Sequence, residues 1–294
     1  MATFLTLPTE IRAIIFQYAL NASRNRPLNP WTGKVRREPC LDTRYTVCGR
    51  IGPNNTLYET FSRRDACVTS TPLLLLNHQL HDEVTALLRL TNTAKTIYHL
   101  DLMYVNEIEL WPTWLNVPRL STHIDEINAD VRIFGHCLVP ESLQHLGAEG
   151  NGDGVHWCFY ALLERFIVHG PIGSYVSDDP AEKNRQRDLY GRRRFYVRSL
   201  VLNIKSGSDD RYPLAPAHLK WRDYMGHRTR GRPARNKFRL GEYTPHAEWV
   251  IQTLRNKLRV LVDINNNHCG ALKGHVGEIR MLLDGELYHE FRIL

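Results

Sequence analysis

The chain has 294 residues, 43% hydrophobic and 23% charged, with a formal net charge of +7: an ordinary globular composition, long enough for one large core or two small ones. Its longest uninterrupted aliphatic run, residues 73–76, is far too short to span a bilayer, and Glu10 and Arg12 break what would be the apolar part of a secretory leader. A soluble protein of the cytoplasm or nucleus is therefore expected.

Residues 4–20, "FLTLPTEIRAIIFQYAL", predict the first helix. Pro8 suits its first position, where a backbone N–H would go unpaired, and Glu10 favours the positive end of the helix dipole. At about 100° per residue, Leu7, Ile11, Ile14, Ile15 and Tyr18 form one apolar stripe, and Ala13, Phe16 and Leu20 form a second on the far side. One stripe satisfies a core, and the first is the expected core face. The second, Phe16 with Leu20, must be covered by the inserted hairpin described next or by another protein.

The next fifty residues have a different texture. "TRYTVCG" and "TLYETFS" flank the turn formers of "RIGPNN", which predicts a β-hairpin. "TPLLLLNHQLHDEVTALLRL" predicts one continuous helix with Leu73, Leu76, Leu80, Val84 and Leu87 on its apolar face. Residues 94–105 and 123–135 read as strands, with "ELWPTWLNVP" between them supplying Trp111 and Trp114. A glycine-rich stretch leads into "VHWCFYALLERFIVHG", apolar nearly all round and so a buried helix. Residues 194–206 predict a further strand, and a helix is expected after Thr244-Pro245. Asp284-Gly285 marks a two-residue hairpin between the last two apolar runs, with a helix ending at the glycine as the alternative. With no internal repeat, the fold reading is α+β: a helical segment over residues 1–90 with the inserted hairpin, packed as one unit with an α+β domain over residues 91–294.

The charge is unevenly placed. Residues 183–239 carry 17 Lys/Arg against 4 Asp/Glu, and a mobile basic loop is expected over about 206–240. Within it, Arg230-Gly231-Arg232-Pro233 resembles the core of an AT-hook, whose arginines could enter a narrow A·T minor groove where glycine permits close approach. Binding A·T-rich DNA in the nucleus is thus an alternative function, weaker than a solvated or protein-binding loop.

No catalytic signature emerges. Gly150, Gly152 and Gly154 lack the preceding strand and the spacing of a dinucleotide fingerprint, and nucleophile elbow, P-loop and HExxH patterns are absent. Six cysteines are spread without a CxxC pair, three of them near histidines that could not readily face one ion together. Buried, reduced thiols are expected, with no metal and no cofactor. The chain reads as a binding protein rather than an enzyme.

"LPTEIRAIIFQYAL" and, downstream, "LLLLNHQLHDEVTALL" together resemble the paired signature of the F-box-like proteins abundant in filamentous ascomycete fungi, at Leu7, Pro8, Glu10, Ile11, Arg12, Ile15 and Phe16 and again at Leu76, Asn77, Gln79, Leu80 and Glu83. The resemblance implies a protein-interaction module whose first helix docks on the Skp-type adaptor of a cullin–RING ubiquitin ligase while the rest selects a substrate. Leu7, Pro8, Ile11 and Ile15 would be adaptor contacts or their support. Phe16 and Leu20 are added as partner-facing residues by the second-stripe argument above.

Overall fold

Among the described residues eight strands form one mixed sheet: β1 (Arg37–Pro39), β2 (Thr56–Thr60), β3 (Ile97–Val105), β4 (Glu109–Asn116), β5 (His123–Phe134), β6 (Tyr196–Lys205), β7 (Val276–Leu283) and β8 (Glu286–Arg292). The computed structural model of the chain describes residues 4–32, 37–39, 56–60, 68–90, 95–137, 154–172, 194–207, 211–228, 242–263 and 272–293. Six α-helices lie among them: α1 (Thr9–Leu20), α2 (Ser70–Leu74), α3 (His78–Leu90), α4 (Gly154–His169), α5 (Trp221–Arg228) and α6 (Ala247–Asp263). Helices with a mixed sheet agree with the α+β class. No helix among the described residues is long and apolar enough to cross a membrane.

The strand order is β1-β2-β4-β3-β5-β6-β7-β8. The middle four, β3, β5, β6 and β7, run parallel, and antiparallel pairs close both ends. Parallel pairing requires crossovers, which α4 supplies between β5 and β6, and α5 with α6 between β6 and β7. Alternation along the strands sends Leu102, Ile127, Leu202 and Ile279 into one buried core with Phe159, Leu162 and Phe166 of α4 and Ile251, Leu254 and Leu258 of α6. The opposite sheet face carries Asp101, Asp130, Arg132 and Asn203 and is crossed by residues 22–32. Asp284 (φ 51°) and Gly285 (φ 91°) form the two-residue turn between β7 and β8 that the sequence predicts.

Three expectations are corrected. "ELWPTWLN" is a strand, β4, hydrogen-bonded to β3 along its length. The helix expected over residues 71–90 breaks in two, because the Asn77 side chain accepts from the Leu80 N–H (2.9 Å) and caps a new helix, leaving Leu75 and Leu76 exposed on the joint. The basic stretch is not a loop throughout: α5 packs on α6, with Tyr224 stacked on Trp249 (centroids 5.1 Å apart) and the Trp221 indole N–H donating to Thr253 Oγ1 (3.1 Å). The second arm of the expected hairpin is β2, which pairs with β1, and its first arm, residues 43–49, lies outside the described residues.

Candidate interaction surface

The helix that begins at Thr9 is held by its second stripe, not its first. Phe16 and Leu20 of α1 are buried against Leu80, Val84 and Leu87 of α3, with the Phe4 ring edge-on to Phe16 at 5.6 Å. Phe16 is 3% exposed. Both residues expected on a partner-facing surface are therefore interior, and that assignment is corrected: the pair that needed covering is covered by this chain's own α3. Pro8 also moves, from the first helical position to the N-cap (φ −54°, ψ 146°).

The cause is a charge pair inside the seam. Arg12 lies on the Phe16 side of α1 and is buried. Its guanidinium grips the Glu83 carboxylate of α3 with two bonds, Nε to Oε2 at 2.8 Å and Nη2 to Oε1 at 2.6 Å. It also donates to Leu5 O (3.1 Å), to Leu7 O, and to Thr9 Oγ1 (3.2 Å), tying the turn before the helix to the helix itself. The Arg12 bond holds the Glu83 carboxyl below its ordinary pKa, and a bond from the Gln79 side chain (3.1 Å) acts the same way. A bidentate arginine–carboxylate fork fixes orientation as well as contact, so α1 can meet α3 only with this face inward. Thr69 Oγ1 donates to Leu20 O (2.8 Å) and Thr69 N–H to Val117 O (3.0 Å), which seats the helix pair on the end of β4.

The other stripe faces outward. Ile11 is 44% exposed, Ile14 48%, Ile15 40% and Tyr18 77%. Their i, i+3, i+4, i+7 spacing places them in one sector of α1, and Pro8 and Leu5 at its N-terminal end are exposed as well. Leu7 is half-buried. Of the residues expected to touch a partner, Pro8, Ile11 and Ile15 lie on this open side. Ile14 and Tyr18, taken from sequence as core, join them. The two motifs carry opposite charges, Arg12, which is buried, and Glu83, which is half-buried, and a face-to-face pairing brings them together.

Among the described residues the remaining candidates gather into no site. Arg230, Gly231, Arg232 and Pro233 lie outside the described residues. Cys137 and Cys158 are buried, with the Cys158 thiol donating to Ile108 O (3.2 Å), and among the described residues no cluster of His, Cys, Asp or Glu could hold a metal ion. A void of about 20 Å³ between α4 and the sheet is lined by apolar side chains such as Leu102, Phe159 and Leu202, with room for about one water molecule. No protein-family model, no curated protein and no solved structure matches the chain.

Proposed function

We propose that this chain is an F-box-like protein-interaction module that offers the outward face of α1 to a Skp-type adaptor and acts as a substrate receptor of a cullin–RING ubiquitin ligase. The observation that carries the reading is the exposed stripe Ile11, Ile14, Ile15 and Tyr18 on a helix whose opposite side is already buried. Contiguous exposed apolar residues on a helix mark contact surfaces, and this spacing suits a groove that receives one helical face.

The motif residues divide by role. Arg12, Phe16, Asn77, Gln79, Leu80 and Glu83 are used within the chain, as seam contacts and as the cap of α3. Pro8, Ile11 and Ile15 have no such use and remain exposed. The resemblance names the adaptor; the exposed stripe supplies the surface it would meet. Binding, rather than catalysis, is the proposed activity.

The test is co-purification with a purified Skp-type adaptor. The wild-type chain should form a complex, and Ile11→Asp with Ile15→Asp should weaken it at least about tenfold while leaving the thermal unfolding of the free chain nearly unchanged. A wild-type chain that forms no complex would refute the adaptor reading. A complex indifferent to both substitutions would refute the surface.

A further inference from the structure

Residues 22–32 lie across the sheet face opposite α4 and α6 without forming a helix or strand. The Arg24 N–H reaches Leu115 O (2.8 Å), and the Asn116 side chain donates to Ala22 O (3.1 Å). Beyond that point side chains do the holding. Arg26 sits between two sheet carboxylates, with Nε 3.3 Å from Asp101 Oδ1 and a hydrogen bond to Asp130. Arg132 of the sheet reaches back and donates to Pro27 O (2.7 Å) and Leu28 O (2.9 Å). Trp31 then packs on the apolar patch of Met103, Val105 and Phe134.

These are the contacts by which a protein holds a bound peptide. A cation enters a pair of carboxylates, an arginine grips main-chain carbonyls whatever the side chains, and an aromatic ring fills an apolar site five residues on. The receiving side is complete without its occupant. Asp101, fully buried, keeps the bidentate Arg132 (2.8 and 2.6 Å), and Asp130 keeps Lys205 (2.9 Å) and Asn203 (3.0 Å). Burial pushes the Asp130 carboxyl up, but its bonds to Lys205, Arg26 and Asn203 outweigh burial and hold it ionised below its usual range. Departure of the segment therefore strands no unpaired buried charge, the usual reason that such an ionic contact cannot open. The occupant also fits imperfectly. Leu28 is 81% exposed, and the buried Trp31 indole N–H has no acceptor among the described residues.

We infer that the sheet face around Asp101, Asp130 and Arg132 is a binding groove for an extended, arginine-bearing peptide of a partner protein, and that residues 22–32 occupy it as a tethered substitute. The inference is independent of what α1 binds, since the groove lies on the sheet and its test requires no adaptor. A tethered segment competes at an effective concentration in the millimolar range, so an outside peptide binds well only where the tether is weakened or its own fit is better.

The probe is a fluorescein-labelled peptide with the sequence of residues 24–31, followed by fluorescence anisotropy on the full chain. A protein carrying Arg26→Ala and Trp31→Ala should bind it saturably, at least about tenfold more tightly than wild type does, and adding Asp130→Asn should remove most of that binding. A folded double variant that does not bind the peptide, or binding that survives Asp130→Asn, would overturn the inference. Native-state hydrogen exchange on the wild-type chain decides the matter if the double variant does not fold. The Arg24 amide should exchange through a local opening, well ahead of the β5 amides, and exchange only at the rate of global unfolding would overturn the groove equally.

Discussion

Helices α1 and α6 face the same problem and solve it differently. In α6, Val250, Ile251, Leu254 and Leu258 are all buried in the main core, while Gln252, Asn256 and Lys257 are half-buried and Arg259 is exposed. The apolar side chains described on it, from Ala247 to Leu258, are all buried. Helix α1 is shorter, yet carries two apolar faces. One closes on α3, and the other leaves four large apolar side chains in water. A helix that served only the core would resemble α6. The surplus on α1 is what the described contacts do not account for, and it is why the proposed partner is placed on that helix.

The largest expected effects lie on the buried faces. Phe16→Ala should cost about 3–5 kcal/mol, and Ile251→Ala about 2–5 kcal/mol, in urea unfolding, because each leaves a cavity in a packed cluster. Ile14→Ala on the open face of α1 should cost about 0.5 kcal/mol or less. Were Ile14→Ala as costly as Phe16→Ala, the outward face would be structural and the contrast with α6 would vanish. Tyr18→Ala sharpens the point from the other side. As an exposed aromatic at the end of the stripe, it should cost about 2 kcal/mol of adaptor affinity in a binding titration, with the midpoint of unfolding nearly unmoved.

Two smaller effects probe features that divide or turn the chain. Asn77→Ala removes the cap that starts α3 and should lower stability by about 1 kcal/mol. Gly285→Ala should cost about 1 kcal/mol for a purely conformational reason. Nothing lies within 4 Å of the added Cβ, but φ is +91°, which a residue with a side chain rarely adopts. The loss should appear in urea unfolding, and a neutral result would mean the β7–β8 turn re-forms with another geometry.

Much of this architecture could be read before any coordinates. Strands β3, β5 and β6 and helices α4 and α6 follow from apolar runs and helical periodicity, and the β7–β8 hairpin from Asp284-Gly285. Strand β4 was hidden by Pro112, which usually argues against a strand. It is tolerated because β2 pairs only with Glu109 and Leu110, so the proline lies beyond that ladder. The candidate surface was half visible. Periodicity revealed both stripes of α1 but carries no information about which is inward. That choice rests on Arg12 meeting Glu83 across 71 positions of sequence, a contact that no local pattern encodes. The groove occupied by residues 22–32 left no mark in the sequence at all, because Asp101, Asp130 and Arg132 come from strands whose pairing only the fold defines.

The smallest effect near neutral pH concerns the same Arg12–Glu83 fork. The Glu83 pKa is lowered in the folded chain from an ordinary value of 4.5, chiefly by the hydrogen bond from Arg12. For a carboxyl depressed by folding, the folded state binds fewer protons than the unfolded state as the pH falls, so its stabilisation is full above about 4.5 and disappears as the pH drops through the lower folded value. Glu83→Gln keeps the shape of the side chain but cannot titrate. The stability gap between wild type and Glu83→Gln, read from urea unfolding at several pH values, should thus be constant from pH 7 down to about 5 and narrow below that. A gap that stayed constant into acid would mean Arg12 is held by its bonds to Leu5 O, Leu7 O and Thr9 Oγ1 rather than by the Glu83 charge. The orientation of α1, with its isoleucines outward, would then rest on Phe16 and Leu20 packing rather than on charge.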